Sequence, residues 1–184
     1  MWPSTHLTLE TDRLWLVNCD LEILEHLFAG EARLGDYLGI EVPSKWTEFG
    51  EPAFRWTWDA LQRQPGTERY WSYLPVLKSE NMLVGSCGFK GPPTAAGVVE
   101  LGYEVAQAYR GRGLATEAVH ALVQQAFAEA SVVKVQAHTL AEENASNHIL
   151  KKCGFDFAGE VHDPDDGVLW KWDIGRENRG KQAR

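Results

Sequence analysis

Cysteine is scarce in this chain, and what there is has no arrangement that would staple or chelate. Cys19, Cys87 and Cys153 are odd in number, widely spaced and without a CxxC pair, so neither a disulfide framework nor a zinc site is indicated, and the reducing cytoplasm is the expected setting. No apolar run approaches a membrane-spanning length and Met1 to Arg13 holds no apolar signal segment, so neither insertion nor secretion is expected. Positive charge is the scarcer sign: 18 Lys and Arg against 26 Asp and Glu leave a formal charge of -8. That balance argues against general nucleic-acid binding, and it fits a cationic amine substrate no better than it fits plain solubility. Internal repeats and low-complexity tracts are also missing. What remains is an ordinary globular composition, 44% hydrophobic, and a length of 184 residues that suits one domain able to bury a core without staples.

The most informative stretch runs from Val98 to Ala130. Val98, Val99, Leu101, Tyr103 and Val105 predict a strand whose alternate face carries Glu100, Gly102 and Glu104. Arg110-Gly111-Arg112-Gly113 follows, two glycines for a tight turn and two guanidiniums suited to phosphate oxygens. From Leu114 and Ala115 onward, apolar residues recur at three- and four-residue spacing as far as Phe127, the signature of an amphipathic helix. Its first-turn N–H groups and positive dipole end would make an anion site. A nucleotide P-loop is excluded because Gly113 is followed by Leu114 rather than Lys-Ser/Thr, and a dinucleotide turn is disfavoured by Thr116 and Glu117 where glycine and neutrality are wanted. A glycine turn that merely starts a helix is the plainer alternative.

Around this unit, alternation predicts a strand from His6 to Val17, a short helix capped by Asp20, a second ending at Gly39, a loop over 41–52 and a Trp-rich helix from Ala53 to Gln64. Trp46, Trp56 and Trp58 lie in or near that helix; they read first as core and second as walls of an acceptor pocket. Tyr70 to Leu77 and Asn81 to Phe89 read as paired strands, Ser131 to Leu140 as another, and a helix capped by Asn144 or Ser146 ends at Gly154. Phe155 to Val161 and Val168 to Ile174 form a closing hairpin across an acid-rich turn, and 175–184 reads as a frayed tail. The element mixture predicts an α/β or α+β domain with a mixed sheet.

YRGRGLATEA, from Tyr109 to Ala118, resembles the acetyl-CoA-binding signature of the GNAT acyltransferases, in particular their RimJ/RimL-like branch. TLETDRLWL (Thr8 to Leu16), GSCGFKG (Gly85 to Gly91) and NASNHILKKCGF (Asn144 to Phe155) support the match in the right order, so the resemblance covers Thr8 to Ile174. It implies the GNAT fold, a mixed, mostly antiparallel sheet flanked by helices with two strands splayed around the coenzyme. It further implies acetyl-CoA as co-substrate without a metal, direct transfer to a primary amine such as a protein or peptide N-terminus, and no nucleic-acid or membrane partner; it leaves room for a homodimer. By that resemblance the backbone N–H near Val105 polarises the thioester carbonyl, main-chain amides from Arg110 to Ala115 grip the pyrophosphate, and Asn144 contacts the pantetheine, although the family's asparagine falls on Glu143 here.

Amide formation needs an acid for the departing thiolate and a base for the ammonium. Ser146 aligns with the serine of RimL-like enzymes and is otherwise a helix cap; the tyrosine of other branches falls on Leu150. For the base, Glu100 comes first, with a carboxyl expected to be raised towards neutrality, and Glu104 and His138 follow. Two other functions stay open: an acetyltransferase for a small amine (polyamine, amino acid or aminoglycoside), and a non-catalytic acyl-CoA-binding module.

Overall fold

The computed structural model describes residues 8–177. Fourteen strands and helices make a sheet with helices on both faces. In chain order they are β1 (Thr8–Glu10), β2 (Leu14–Asn18), α1 (Leu21–Phe28), α2 (Glu31–Leu38), α3 (Gly50–Arg63), β3 (Ser72–Leu77), β4 (Met82–Leu83), β5 (Gly85–Phe89), β6 (Val98–Val105), α4 (Leu114–Ala128), β7 (Lys134–Leu140), α5 (Ala145–Lys152), β8 (Asp156–Asp163) and β9 (Gly167–Gly175). The sheet order is β1-β2-β3-β5-β6-β7-β9-β8, with β4 paired to β3. Only β6 and β7 run parallel among these strands, because the α4 crossover joins them; the other neighbouring pairs are antiparallel, β2 and β3 being joined through the three helices α1 to α3.

Strand alternation sorts the side chains into two cores. Leu14, Leu16, Cys87, Phe89, Val99, Leu101, Val135 and Ala137 turn to one face, where α4 and α5 cover them with Val119, Leu122, Val123, Phe127 and Leu150. Val17, Leu74, Val76 and Leu83 turn to the other, under α1, α2 and α3. The tryptophans divide accordingly. Trp46 and Trp71 are buried in the second core, whereas Trp56, 47% exposed, stacks edge-on against Trp71 at 5.3 Å from the outside of α3. Trp46 packs on Phe54 at 5.5 Å and so anchors the segment that precedes α3.

Several local expectations hold because their causes are local. The Asp20 carboxylate accepts the Ile23 N–H at 2.8 Å and starts α1, Gly39 ends α2 in the left-handed region, and Gly154 follows α5 at φ +83°. Others are corrected. The strand expected over 6–17 is folded on itself, since the Thr11 N–H donates to the Leu14 carbonyl and the Thr11 hydroxyl accepts the Leu14 N–H, turning β1 back antiparallel onto β2. The Trp-rich helix starts three residues early, at Gly50, with its N-terminus held from outside. The strand expected over 81–89 breaks at Val84, where Gly85 lies so close to the Glu104 carbonyl that a Cβ would come within 2.2 Å of it. The first residues of the expected frayed tail are instead held, because β9 runs to Gly175 and Arg176 donates to the carbonyls of Phe127, Glu129 and Val132 and closes the C-terminal end of α4. The rest of the expected tail, and the first seven residues of the chain, lie outside the described residues.

Arg176→Ala removes a cation from a helix C-terminus and leaves three partly buried carbonyls short of a donor. It should lower the unfolding free energy by about 2 kcal/mol, read by urea titration; an unchanged midpoint would show that these bonds contribute nothing.

Candidate active site

The site begins where the sheet opens. β6 and β7 pair only over Val98↔Lys134, Val99↔Val135 and Glu100↔Gln136. Beyond that point β6 continues along β5 and β7 along β9, and the two part. The Lys90 N–H donates to the Glu100 carbonyl and the Ala106 N–H to the Val84 carbonyl, so even-numbered residues of β6 bond β5. By antiparallel alternation Leu101, Tyr103 and Val105 therefore turn their N–H and C=O groups towards the missing neighbour, about 7 Å apart along the strand. Val105 thus directs its N–H into the opening, as expected, and Tyr103 and Leu101 do the same. The Val105 carbonyl receives Arg110 Nε at 2.9 Å.

The glycine turn lies at the wide end. Gly111 and Gly113 take φ of +73° and +76°, which only glycine adopts freely, and no side chain caps α4. The first intrahelical bond is Glu117 N–H to the Gly113 carbonyl, so the N–H groups of Leu114, Ala115 and Thr116 have no helical partner. The two guanidiniums, expected to pair with phosphate, bond carboxylates here: Arg110 reaches Glu48 at 2.7 Å and Arg112 reaches Glu80 at 2.9 Å. The Arg112 bond holds the Glu80 carboxyl below its ordinary value. Arg13 was missed from the sequence. Its Nη1 donates to the Arg112 carbonyl at 2.8 Å, its Nε and backbone N–H bond Glu117 at 2.6 and 2.7 Å, and Thr11 adds a hydroxyl at 2.6 Å. Glu117, which stood out as a wrong charge beside an anion turn, is thereby drawn aside and neutralised. Burial pushes its carboxyl up, but the Thr11 and Arg13 bonds outweigh this and hold it below the ordinary value.

On the α4/α5 face, Tyr103 extends from β6 across the opening, and its hydroxyl donates to the Ser146 carbonyl at 3.2 Å. Burial pushes this phenol well above its ordinary value, so it keeps its proton. Asn144, not Ser146, caps α5: its side-chain oxygen accepts the Asn147 N–H at 3.1 Å and its amide donates to the Glu142 carbonyl. The Asn144 side chain thus serves the cap through its oxygen and ties back to Glu142 through its amide, and Ser146 is released from the capping role. Leu150 is fully buried in the core. A tyrosine is therefore present beside Ser146, but it comes from the central strand and not from the helix where it was sought.

On the opposite face stand Glu100, Gly102 and Glu104. Glu104 accepts the Thr47 hydroxyl at 2.5 Å, the Glu48 N–H at 2.7 Å, the Ser86 hydroxyl at 2.8 Å and the Phe49 N–H at 3.4 Å. It is a cap for α3 supplied by another element, and a carboxylate so fully engaged is badly placed to act as a base. Glu100 is bonded by Lys90 at 2.5 Å, by His138 Nδ1 at 3.1 Å and by Gln136 at 3.2 Å. Burial raises its carboxyl, yet the Lys90 and His138 bonds prevail and the net direction is downward, opposite to the expected rise. Between the two, a Cβ placed on Gly102 would meet nothing within 4 Å. The Glu100–Glu104 face of the central strand is thus open at Gly102.

The sequence profile described as Acetyltransferase (GNAT) domain matches residues 13–156. The uncharacterized N-acetyltransferase YjdG of Bacillus subtilis (strain 168) is 30% identical over 151 residues, covering 80% of this chain and 88% of that protein. Among solved structures, RimL, a ribosomal-protein alpha-N-acetyltransferase in complex with coenzyme A, superposes with a TM-score of 0.66 at 16% identity over 92% of this chain and 98% of its own. A spermidine N-acetyltransferase SpeG chimera from Vibrio cholerae gives 0.65 at 15% identity over 94% and 100%.

Glu117→Gln should cost about 1–2 kcal/mol at neutral pH. Because the folded carboxyl titrates below its unfolded value, the stabilisation is present above about pH 4.3 and is lost as pH falls through the folded value. Denaturant titrations at descending pH should therefore show a shallower acid loss in the variant; parallel curves would refute the assigned pairing.

Proposed function

The chain belongs to the GNAT acetyltransferase family and is an N-acetyltransferase; from that premise we propose that it moves the acetyl group of acetyl-CoA directly to a peptide or protein N-terminal amine bound on the Glu100–Glu104 face. The observation that carries the reading is the parting of β6 and β7 after three paired residues, which leaves a row of backbone donors and acceptors matched to the amides of a pantetheine arm. The glycine turn at its wide end, with the free N–H groups of Leu114 to Thr116, supports pyrophosphate binding by Arg110 to Ala115. The coenzyme thus supplies an activated acetyl thioester, and the chain orients it.

In this reading the N–H groups of Tyr103 and Val105 polarise the carbonyl, and Ser146, with Tyr103 beside it, returns a proton to the sulfur. The ammonium loses its proton within the Glu100 cluster, on the other side of the sheet. The hollow over Gly102 receives the amine, and Phe49, 61% exposed on the segment tied to Glu104, offers an apolar wall. Glu100 and Glu104 are already bonded by protein donors, which favours a peptide amine over a polyamine that would need unengaged carboxylates. Three buried thiols, none in a disulfide, suit a reducing cytoplasm.

Isothermal titration should show saturable acetyl-CoA binding that Gly113→Glu abolishes, because the new side chain puts bulk and charge at the turn while its positive φ costs only about 1–2 kcal/mol of fold stability. Absence of binding by the folded wild type would refute the reading. Gly102→Val, at a strand position with room for its side chain, should keep both the fold and coenzyme affinity but lower turnover with N-terminal peptides at least about tenfold. Full turnover in this variant would place the acceptor elsewhere.

A further inference from the structure

We infer that His138, held by Glu100, is the group that takes the proton from the acceptor ammonium. The inference rests on the acetyltransferase reading and assigns one of its steps. His138 lies on β7 two residues beyond Gln136, the parallel partner of Glu100. The same register carried forward sets it level with Gly102, at the point where β6 and β7 have stopped pairing and where a Cβ on Gly102 would touch nothing. The imidazole is bonded to Glu100 at the end of the paired region, where the opening between β6 and β7 begins.

Its orientation follows from its partner. An ionised carboxylate only accepts hydrogen bonds, so the contact from Glu100 Oε1 to His138 Nδ1 at 3.1 Å puts the ring proton on Nδ1 and leaves the lone pair on Nε2. Gln136 holds the other Glu100 oxygen at 3.2 Å, and Lys90 holds Oε1 at 2.5 Å, so the carboxylate is fixed and its lone pairs are engaged. The His138 side chain is 16% exposed, which restrains the ring without sealing it from solvent. Charged groups facing it come from each neighbouring element: Lys90 after β5, Glu100 on β6, Lys171 opposite it on β9, and Asp163 at the end of β8, whose carboxyl feels both Lys90 and His138. Glu100 is a positioning residue in this scheme. It sets the tautomer and opposes the charge that forms.

Nε2 takes one proton from R–NH₃⁺ and becomes imidazolium. The freed lone pair forms the C–N bond to the acetyl carbon, the C–S bond breaks towards sulfur, and the second proton lost by nitrogen ends on the thiolate by way of Ser146. The products are the N-acetyl amide and the free coenzyme thiol, and the imidazolium returns its proton to water.

The test follows thiol release by the full-length protein with acetyl-CoA and a pool of N-terminal peptides, from about pH 5.5 to about 9.5. His138→Gln should lower kcat/KM about 100- to 1,000-fold and remove the acid limb of the profile, with coenzyme affinity from calorimetry within about twofold of wild type. Glu100→Gln should keep an acid limb and reduce kcat/KM about tenfold, because the ring loses the partner that fixes its tautomer. If His138→Gln keeps the wild-type limb and rate, the assignment falls and the acetyltransferase reading stands. If the His138 variant loses coenzyme affinity as well, an acid limb abolished by Glu100→Gln likewise overturns it, and a retained limb with the roughly tenfold loss upholds it. A wild type that binds acetyl-CoA yet releases no thiol with any peptide or small amine overturns both.

Discussion

Backbone N–H and C=O groups inside a folded chain need partners, and this molecule is built around a place where two strands withhold them from each other. β6 and β7 share three register positions and then diverge, each kept straight by its other neighbour, β5 and β9 respectively. The closed end is pinned tightly. The Gly97 carbonyl accepts the N–H groups of both Val133 and Lys134, and a Cβ on Gly97 would come within 2.4 Å of the Ser131 carbonyl. Past Glu100 nothing of the sheet closes the gap. α4 and α5 pack beside it, and the Tyr103 hydroxyl spans from the central strand to the first turn of α5. The result is a slot whose rims carry backbone N–H and C=O groups that the sheet itself does not pair.

Three glutamates hold the pieces around that slot, and each does so by joining segments remote in sequence. Glu117 joins the start of α4 to the β1–β2 turn and keeps the glycine turn in shape. Glu104 joins β6 to the residues that open α3, so the wall carrying Phe49 is fixed to the central strand. Glu100 joins β6 to β7 through Gln136 and His138 where the two strands last meet. In an acidic chain these three are not surplus charge. Their donors include hydroxyls and backbone N–H groups as well as cations, and the glutamates themselves are partly buried, so each carboxylate is held by more than a surface ion pair.

The sequence was most legible where cause and effect lie within a few residues. Caps at Asp20 and Asn144, the left-handed glycines at 39 and 154, the strand-turn-helix of 98–128 and the shared face of Glu100, Gly102 and Glu104 all follow from periods of two or 3.6 and from turn chemistry. Side-chain partnerships were not legible, because periodicity fixes a face and says nothing of what stands opposite. Arg13 and Glu117 are separated by 104 positions, Thr47 and Glu104 by 57, and Gln136 and Glu100 by 36. The two arginines of the glycine turn show the limit most plainly: residue type suggested phosphate, whereas Glu48 and Glu80 stand within reach of them in the fold. A weak signal for Arg13 was available, since the TDRL run and Glu117 both belong to the stretches that carried the family resemblance.

The sheet also acts as a partition, and this bears on how acid and base coexist. Tyr103 and Ser146 lie on the α4/α5 face, His138 and Glu100 on the other, and the opening between β6 and β7 connects them. An acid and a base in direct contact would exchange their proton and cancel. Placed on opposite faces, each is set by its own surroundings: burial keeps the Tyr103 phenol protonated, while Lys90 and His138 keep Glu100 ionised. In the proposed scheme a proton leaves the amine on one side and another arrives at sulfur on the other. Alternation along a single strand is enough to create this separation, since Tyr103 points one way and its neighbours Gly102 and Glu104 the other. The strand that lines the opening with its backbone thus sorts the two sets of side chains onto opposite faces.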